Sequence, residues 1–135
     1  MILVADKSEH SRYRLARILE REGHRVLVAS DINEAKATAA VLNIDLLLAD
    51  IDLPGVAGGD LLQSLRGQPG GRRPAALALA AKASPRMAEA TGIGFDGCLL
   101  KPINEADLKE AARKALAAPA AGDATDPTAG PRKCV

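Results

Sequence analysis

Five short runs of apolar residues, each followed by a segment with helical periodicity, most strongly constrain how this chain folds. The runs cover residues 2–5, 26–29, 46–49, 75–79 and 98–100. They are apolar at nearly every position, which is typical of parallel strands covered by helices on both faces. The pattern predicts an α/β domain with a five-stranded parallel sheet.

The helical segments carry start and stop signals. We expect helices over residues 8–22, 31–42, 59–65 and 105–117, and a weaker one near 84–91. Asp31 and Asn104 are suitable N-caps, and Gly23 is suited to a left-handed C-terminal cap. The apolar positions predicted to face the sheet are Leu15, Ile18, Leu19, Ala35, Ala39, Leu42, Leu108, Ala112, Ala115 and Leu116.

Length and charge restrict the classes of function. The chain has 135 residues, which suits one domain, and a formal net charge of +1, which argues against nucleic-acid binding. It has one tyrosine and one phenylalanine, so it offers almost no aromatic side chains on which nucleic-acid bases could stack. We expect a domain over residues 1–118 and a flexible tail over 119–135, where the composition lacks periodicity and apolar bulk.

The sequence also indicates where the protein resides. It shows no secretory signal at its N-terminus and no run of about 18 apolar residues, so we expect a cytoplasmic protein without membrane contact. Cys98 and Cys134 suggest neither a disulfide framework nor a metal site, which favours a reducing compartment.

Charged residues follow three of the predicted strands. Asp6 ends the first, Asp50 ends the third with Asp52 two residues on, and Lys101 ends the fifth. Open parallel sheets bind ligands at the carboxyl ends of their strands, so these residues are expected to converge. An aspartate that attacks phosphorus needs nearby cations, and a divalent ion with oxygen ligands and a fixed ammonium would serve.

These segments resemble the receiver domains of bacterial two-component response regulators, the chemotaxis-protein-like fold. The resemblance spans residues 1–117 and rests on residues 2–6, 45–55 and 99–103, with Gly58 after the second segment. It implies a doubly wound (βα)5 flavodoxin-like sandwich with strand order 2-1-3-4-5. It also implies a single-domain response regulator in a phosphorelay, acting through protein–protein contacts.

The resemblance assigns roles to individual positions. Asp50 corresponds to the aspartate that accepts a phosphoryl group from a histidine kinase or phosphotransfer protein. Magnesium would be held by Asp6, Asp50 and the backbone carbonyl of Asp52, and Lys101 would contact the phosphoryl oxygens. Pro102 matches a proline that follows a cis peptide bond. The enzymatic activity expected is at most self-phosphorylation and autodephosphorylation.

The main departure from the family pattern is Lys7, which replaces the second member of the acidic pair. The charged side chains at the site then have a net formal charge of zero, whereas those of the usual site sum to −2. They belong to Asp6, Asp50, Lys7 and Lys101. Because an ammonium repels a divalent ion, magnesium binding is expected to be weak or absent. Two routes avoid this repulsion: Lys7 turns to solvent, or the Asp52 side chain supplies the missing carboxylate.

A second departure concerns the switch residues of the family. Its hydroxyl-bearing position on the fourth strand falls on Leu79 or Ala80, neither of which can donate a hydrogen bond. Its aromatic position on the fifth strand falls on Cys98. The usual signal is therefore not expected to propagate.

Two alternatives remain open at this stage. In a pseudo-receiver, Lys7 pairs with Asp6 and Asp50 and the domain acts as a phosphorylation-independent interaction module. A flavodoxin-like cofactor binder is less favoured, because residues 6–9 lack the Ser, Thr and Gly that cradle a phosphate. In each signalling case we expect no output domain in this chain and action in trans on an unknown downstream protein.

Overall fold

The structure is a computed structural model that describes residues 1–57, 59–67, 74–81 and 90–117. Its elements, in order, are β1 (Ile2–Ala5), α1 (Glu9–Arg21), β2 (Val26–Ala29), α2 (Ile32–Val41), β3 (Leu46–Asp50), α3 (Asp60–Arg66), β4 (Ala75–Ala81), α4 (Ala90–Ile93), β5 (Gly97–Lys101) and α5 (Glu105–Ala117). Gly58, most of the predicted helix near residues 84–91 and the predicted tail lie outside the described residues.

The described strands form one parallel sheet in the order β2-β1-β3-β4-β5. This confirms the predicted doubly wound α/β fold. Strands β1 and β3 are buried at every position, as expected for central strands covered on both faces. Strand β2 lies at the edge, and its Val28 is 41% exposed.

Alternate strand residues face two separate apolar clusters. One cluster packs strand residues such as Val4 and Leu48 against α1 and α5. The other packs residues such as Leu3 and Leu47 against α2 and α3. Because the side-chain period of a strand is two, membership of a cluster shows which face of the sheet a residue occupies.

The predicted caps are confirmed. The Asp31 carboxylate accepts a hydrogen bond from the backbone N–H of Glu34 at 2.8 Å, and the Asn104 side chain accepts one from Ala106 at 2.8 Å. Gly23 adopts a φ of 91°, a left-handed conformation that glycine tolerates well.

The prediction that Leu42 faces the sheet was wrong. Leu42 is 37% exposed and lies at the C-cap of α2 with extended backbone angles. Helical spacing therefore does not apply to its side chain. Ala39 and Ala35, one and two turns earlier on the same helix, are buried as predicted.

Two observations bear on the expected surroundings of the protein. Within the described ranges, no helix is long and apolar enough to cross a membrane. Cys98 is disulfide-bonded, so the expectation of unpaired cysteines was wrong. Disulfide pairing depends on distance in the fold, which sequence spacing does not report, and the cysteines no longer argue for a reducing compartment.

Candidate functional site

Three charged side chains predicted from strand ends come together at the carboxyl edge of the sheet. The register pairs Ala5 with Ala49, so Asp6 and Asp50 follow neighbouring positions on adjacent strands. Lys101 ends β5, which is separated from β3 by β4. The fold thus brings residues from distant parts of the chain into one pocket.

The Lys101 ammonium bridges the two carboxylates. Its Nζ lies 2.7 Å from Oδ2 of Asp6 and 3.2 Å from Oδ2 of Asp50. To make these contacts, its side chain must span the end of β4, since adjacent strands lie about 4.8 Å apart. The residue beside it in the sheet register is Ala81, whose methyl group adds little bulk.

Backbone groups fix the orientation of each carboxylate. Oδ1 of Asp6 accepts a hydrogen bond from the N–H of Ser8 at 2.9 Å, and Oδ1 of Asp50 accepts one from the N–H of Asp52 at 2.9 Å. Asp6 is 0% exposed and Asp50 is 4% exposed. Each carboxylate therefore presents its second oxygen to the pocket and to Lys101.

The environment keeps Lys101 charged. Burial by itself lowers the pKa of the ammonium, but the contact with Asp6 and the negative charges of Asp50 and Asp6 outweigh burial. The pKa of Lys101 is raised above its ordinary value of 10.5 as a result. At neutral pH the pocket thus holds a protonated amine between the two buried aspartates.

Lys7 lies outside this cluster of charges. Its side chain is exposed and forms no ion pair or hydrogen bond with another described residue. The pairing that we considered for a pseudo-receiver, Lys7 with Asp6 and Asp50, is therefore wrong: Lys101 makes those contacts. The Lys7 side chain turns to solvent, as in the first predicted route, and the second route, through the Asp52 side chain, stays a prediction.

Sequence reasoning missed two contacts that hold the pocket. Nη1 of Arg12, one turn into α1, donates a hydrogen bond to the backbone carbonyl of Asp6 at 2.7 Å. The backbone N–H of Asp52 orients the Asp50 carboxylate, whereas the sequence predicts roles only for the Asp52 carbonyl and side chain. No sequence signal marked Arg12, because an arginine in the first turns of a helix is usually solvated.

The remaining predicted positions lie on β4 and β5 or directly after them. Leu79 is the register partner of Asp50 and packs in the cluster under α1 and α5. Ala80 and Cys98 pack in the other cluster, under α2 and α3. The peptide bond between Lys101 and Pro102 is cis, as the resemblance implied.

Comparisons with known proteins agree with this geometry. The chain is 37% identical over 97 residues to the sensor histidine kinase AruS of Pseudomonas aeruginosa, covering 70% of this chain and 10% of that protein. It is 33% identical over 110 residues to the sensory/regulatory protein RpfC of Xanthomonas campestris, covering 79% and 15%. This chain thus spans a small part of these relatives.

Solved structures and family models point the same way. The chemotaxis response regulator CheY4 of Vibrio cholerae superposes with a TM-score of 0.75 at 28% identity, covering 85% of this chain and 97% of that one. The model of the response regulator receiver domain family matches residues 2–113. The chain therefore belongs to the response regulator receiver domains of two-component signalling.

Proposed function

We propose that this receiver domain accepts a phosphoryl group on Asp50 from the phosphohistidine of a histidine kinase or phosphotransfer protein. The observation that carries the proposal is the arrangement of Asp50 itself. One carboxylate oxygen is held by a backbone N–H, and the other lies 3.2 Å from the Lys101 ammonium at a 4% exposed position. A nucleophile held beside a fixed cation is what phosphoryl transfer requires.

The proposed chemistry has two steps. A carboxylate oxygen of Asp50 attacks phosphorus, the P–N bond of the phosphohistidine breaks, and the imidazole nitrogen keeps the electron pair and takes a proton from water. Later, a water molecule attacks the phosphorus of the acyl phosphate and the bond between phosphorus and the Asp50 oxygen breaks, which is autodephosphorylation. In both steps the Lys101 ammonium offsets negative charge on the phosphoryl oxygens.

Receiver domains of this family generally bind Mg²⁺, and the pocket offers part of a site for it. Oδ2 of Asp6 is fully buried and lacks a hydrogen bond of good geometry, although Lys101 lies close to it. Carboxylate oxygens suit magnesium, which often uses one or two carboxylates together with phosphate oxygens and water. Asp6, Asp50 and the Asp52 carbonyl would hold the ion, which supplies positive charge to the phosphoryl group.

This magnesium site is sparse. Among the described residues, no three acidic, histidine or cysteine side chains form a group that would hold a metal alone. Lys7 places a positive charge where the family has a carboxylate. The Lys101 ammonium already forms ion pairs with the carboxylates of Asp6 and Asp50. We therefore expect magnesium binding to be weaker than in receivers that carry the complete acidic pair.

The response to phosphorylation is proposed to differ from the usual switch. A hydroxyl that couples to a side chain on the fifth strand must share its face of the sheet. Ala80 shares a face with Cys98, whereas Leu79 faces the opposite cluster, so we assign the hydroxyl position to Ala80. With a methyl group there, phosphorylation has to be signalled to a downstream protein by other contacts.

The direct test is intact mass spectrometry of the protein after incubation with acetyl phosphate and Mg²⁺. We expect an adduct with the mass of one phosphoryl group, and no adduct in Asp50→Asn. Asp45→Asn, altered at an aspartate outside the pocket, is the matched control and should react like the wild type. An Asp50→Asn protein that still gains the adduct would refute the assignment of the acceptor.

A further inference from the structure

The loop that carries Lys7 is held firmly while the Lys7 side chain is not. Asp6, just before it, donates its N–H to Ala29 at 3.0 Å, and its carbonyl accepts a hydrogen bond from Arg12 at 2.7 Å. Ser8, just after it, donates its N–H to the Asp6 carboxylate. Lys7 is thus a flexible cation on a fixed backbone, one residue from the pocket and without a partner among the described residues.

The charge of the pocket changes when Asp50 is phosphorylated. In the resting state, Asp6, Asp50 and Lys101 sum to −1. An acyl phosphate carries about two negative charges at neutral pH in place of the single charge of the carboxylate. The same three groups then sum to about −2, and one further cation restores the resting charge.

Within the part of the chain that the structure describes, the neighbouring side chains offer few other groups to meet that extra charge. Lys101 is already shared between two carboxylates. Leu79 pairs with Asp50 in the sheet register, and Ala80 follows it. The side chains of these two residues have no hydrogen-bond donor. Lys7 is the exposed cation nearest to Asp6 in sequence, and its long stem lets the ammonium turn from solvent toward the pocket.

We propose that the Lys7 ammonium closes on the phosphoryl group carried by Asp50 and supplies charge that magnesium supplies in other receivers. The inference rests on the proposed function, because it requires Asp50 to be the acceptor. No covalent step is added: Lys7 forms charge-assisted hydrogen bonds to phosphoryl oxygens and stays protonated. The consequence is a receiver whose phosphorylation depends only weakly on magnesium.

The test compares the rate of adduct formation from acetyl phosphate in excess Mg²⁺ with the rate in EDTA, measured by intact mass. We expect the wild type to keep substantial reactivity in EDTA. Lys7→Gln should slow the reaction in EDTA by about ten- to a hundredfold, the effect of one lost charge-assisted hydrogen bond, with little change in Mg²⁺. Lys7→Arg should retain the EDTA reaction, whereas Lys7→Asp should react only with Mg²⁺.

Lys114→Gln is the matched control, because Lys114 is an exposed lysine on α5 that pairs with Glu110 away from the pocket. It should behave like the wild type in both conditions. Equal EDTA rates for wild type and Lys7→Gln, or a wild-type reaction that occurs only with Mg²⁺, would overturn the role of Lys7 and leave Asp50 as the acceptor. Absence of the adduct in every folded variant would overturn the proposed function, and this inference with it.

Discussion

Replacement of Lys101 by methionine should destabilise the domain through the two aspartates that the ammonium bridges. Contacts of 2.7 and 3.2 Å correspond to about 6 and 5 kcal/mol of Coulomb attraction at an effective dielectric constant of about 20. Desolvation of the three groups cancels much of this attraction, and loss of one partner from a buried ion pair typically costs about 3–5 kcal/mol. Because the Lys101 side chain is 24% exposed, we expect about 3 kcal/mol.

Urea denaturation followed by far-UV circular dichroism measures this loss. Fluorescence is a poor probe, because the chain has no tryptophan and one tyrosine. For a domain of this size, the expected loss lowers the melting temperature by roughly 10–15 °C. Lys114→Met, which breaks an exposed pair with Glu110, should cost less than about 0.5 kcal/mol.

The pH dependence provides a check with a defined sign. Since the pKa of Lys101 is raised in the folded protein, its stabilising effect is complete below about pH 10.5 and is lost as pH rises through the raised pKa. The difference between wild type and Lys101→Met should therefore stay constant from pH 7 to 9 and shrink in strong alkali. A loss no larger than that of Lys114→Met at pH 7 would refute the reasoning.

Two further predictions concern the backbone and an exposed carboxylate. Gly55 has a φ of 93°, and an added Cβ would overlap Cδ1 of Ile32, so Gly55→Ala should cost about 2–3 kcal/mol in urea denaturation. Gly23→Ala, with similar φ and open space, should cost about 1 kcal/mol, and equal losses would contradict the role of the overlap. The Lys109 ammonium lowers the pKa of the Glu105 carboxyl. The stabilising effect of the Glu105 carboxylate is therefore present above about pH 4.5 and is lost as pH falls through the lowered pKa. Glu105→Gln should flatten the pH dependence of the urea midpoint below pH 5, and an unchanged profile would count against this ion pair.

The sequence contains most of the information about the fold. Strands β1 and β2 match their predicted bounds, because buried parallel strands leave uninterrupted apolar runs. Strand β4 extends two residues beyond its predicted end, through Ala80 to Ala81. Alanine has little strand preference of its own, and pairing of these two residues with β5 extends β4 beyond its predicted end.

The candidate site could be predicted only as a set of residues. The rule that ligand-binding residues follow the carboxyl ends of parallel strands predicts that Asp6, Asp50 and Lys101 come together. It could not decide which lysine would bridge the aspartates, because that depends on whether a side chain on β5 can reach across β4. The choice between Leu79 and Ala80 likewise required knowing which face of the sheet each residue occupies.

The most direct test of the central claim is chemical mapping of the phosphorylated residue. After reaction with acetyl phosphate and Mg²⁺, borohydride reduces an aspartyl phosphate to homoserine, which fragment masses locate along the chain. We predict homoserine at position 50 and unmodified aspartates at positions 45, 52 and 60 of the same tryptic peptide. Homoserine at another position, or none in a protein shown to be folded, would contradict the assignment of Asp50 as the phosphoryl acceptor.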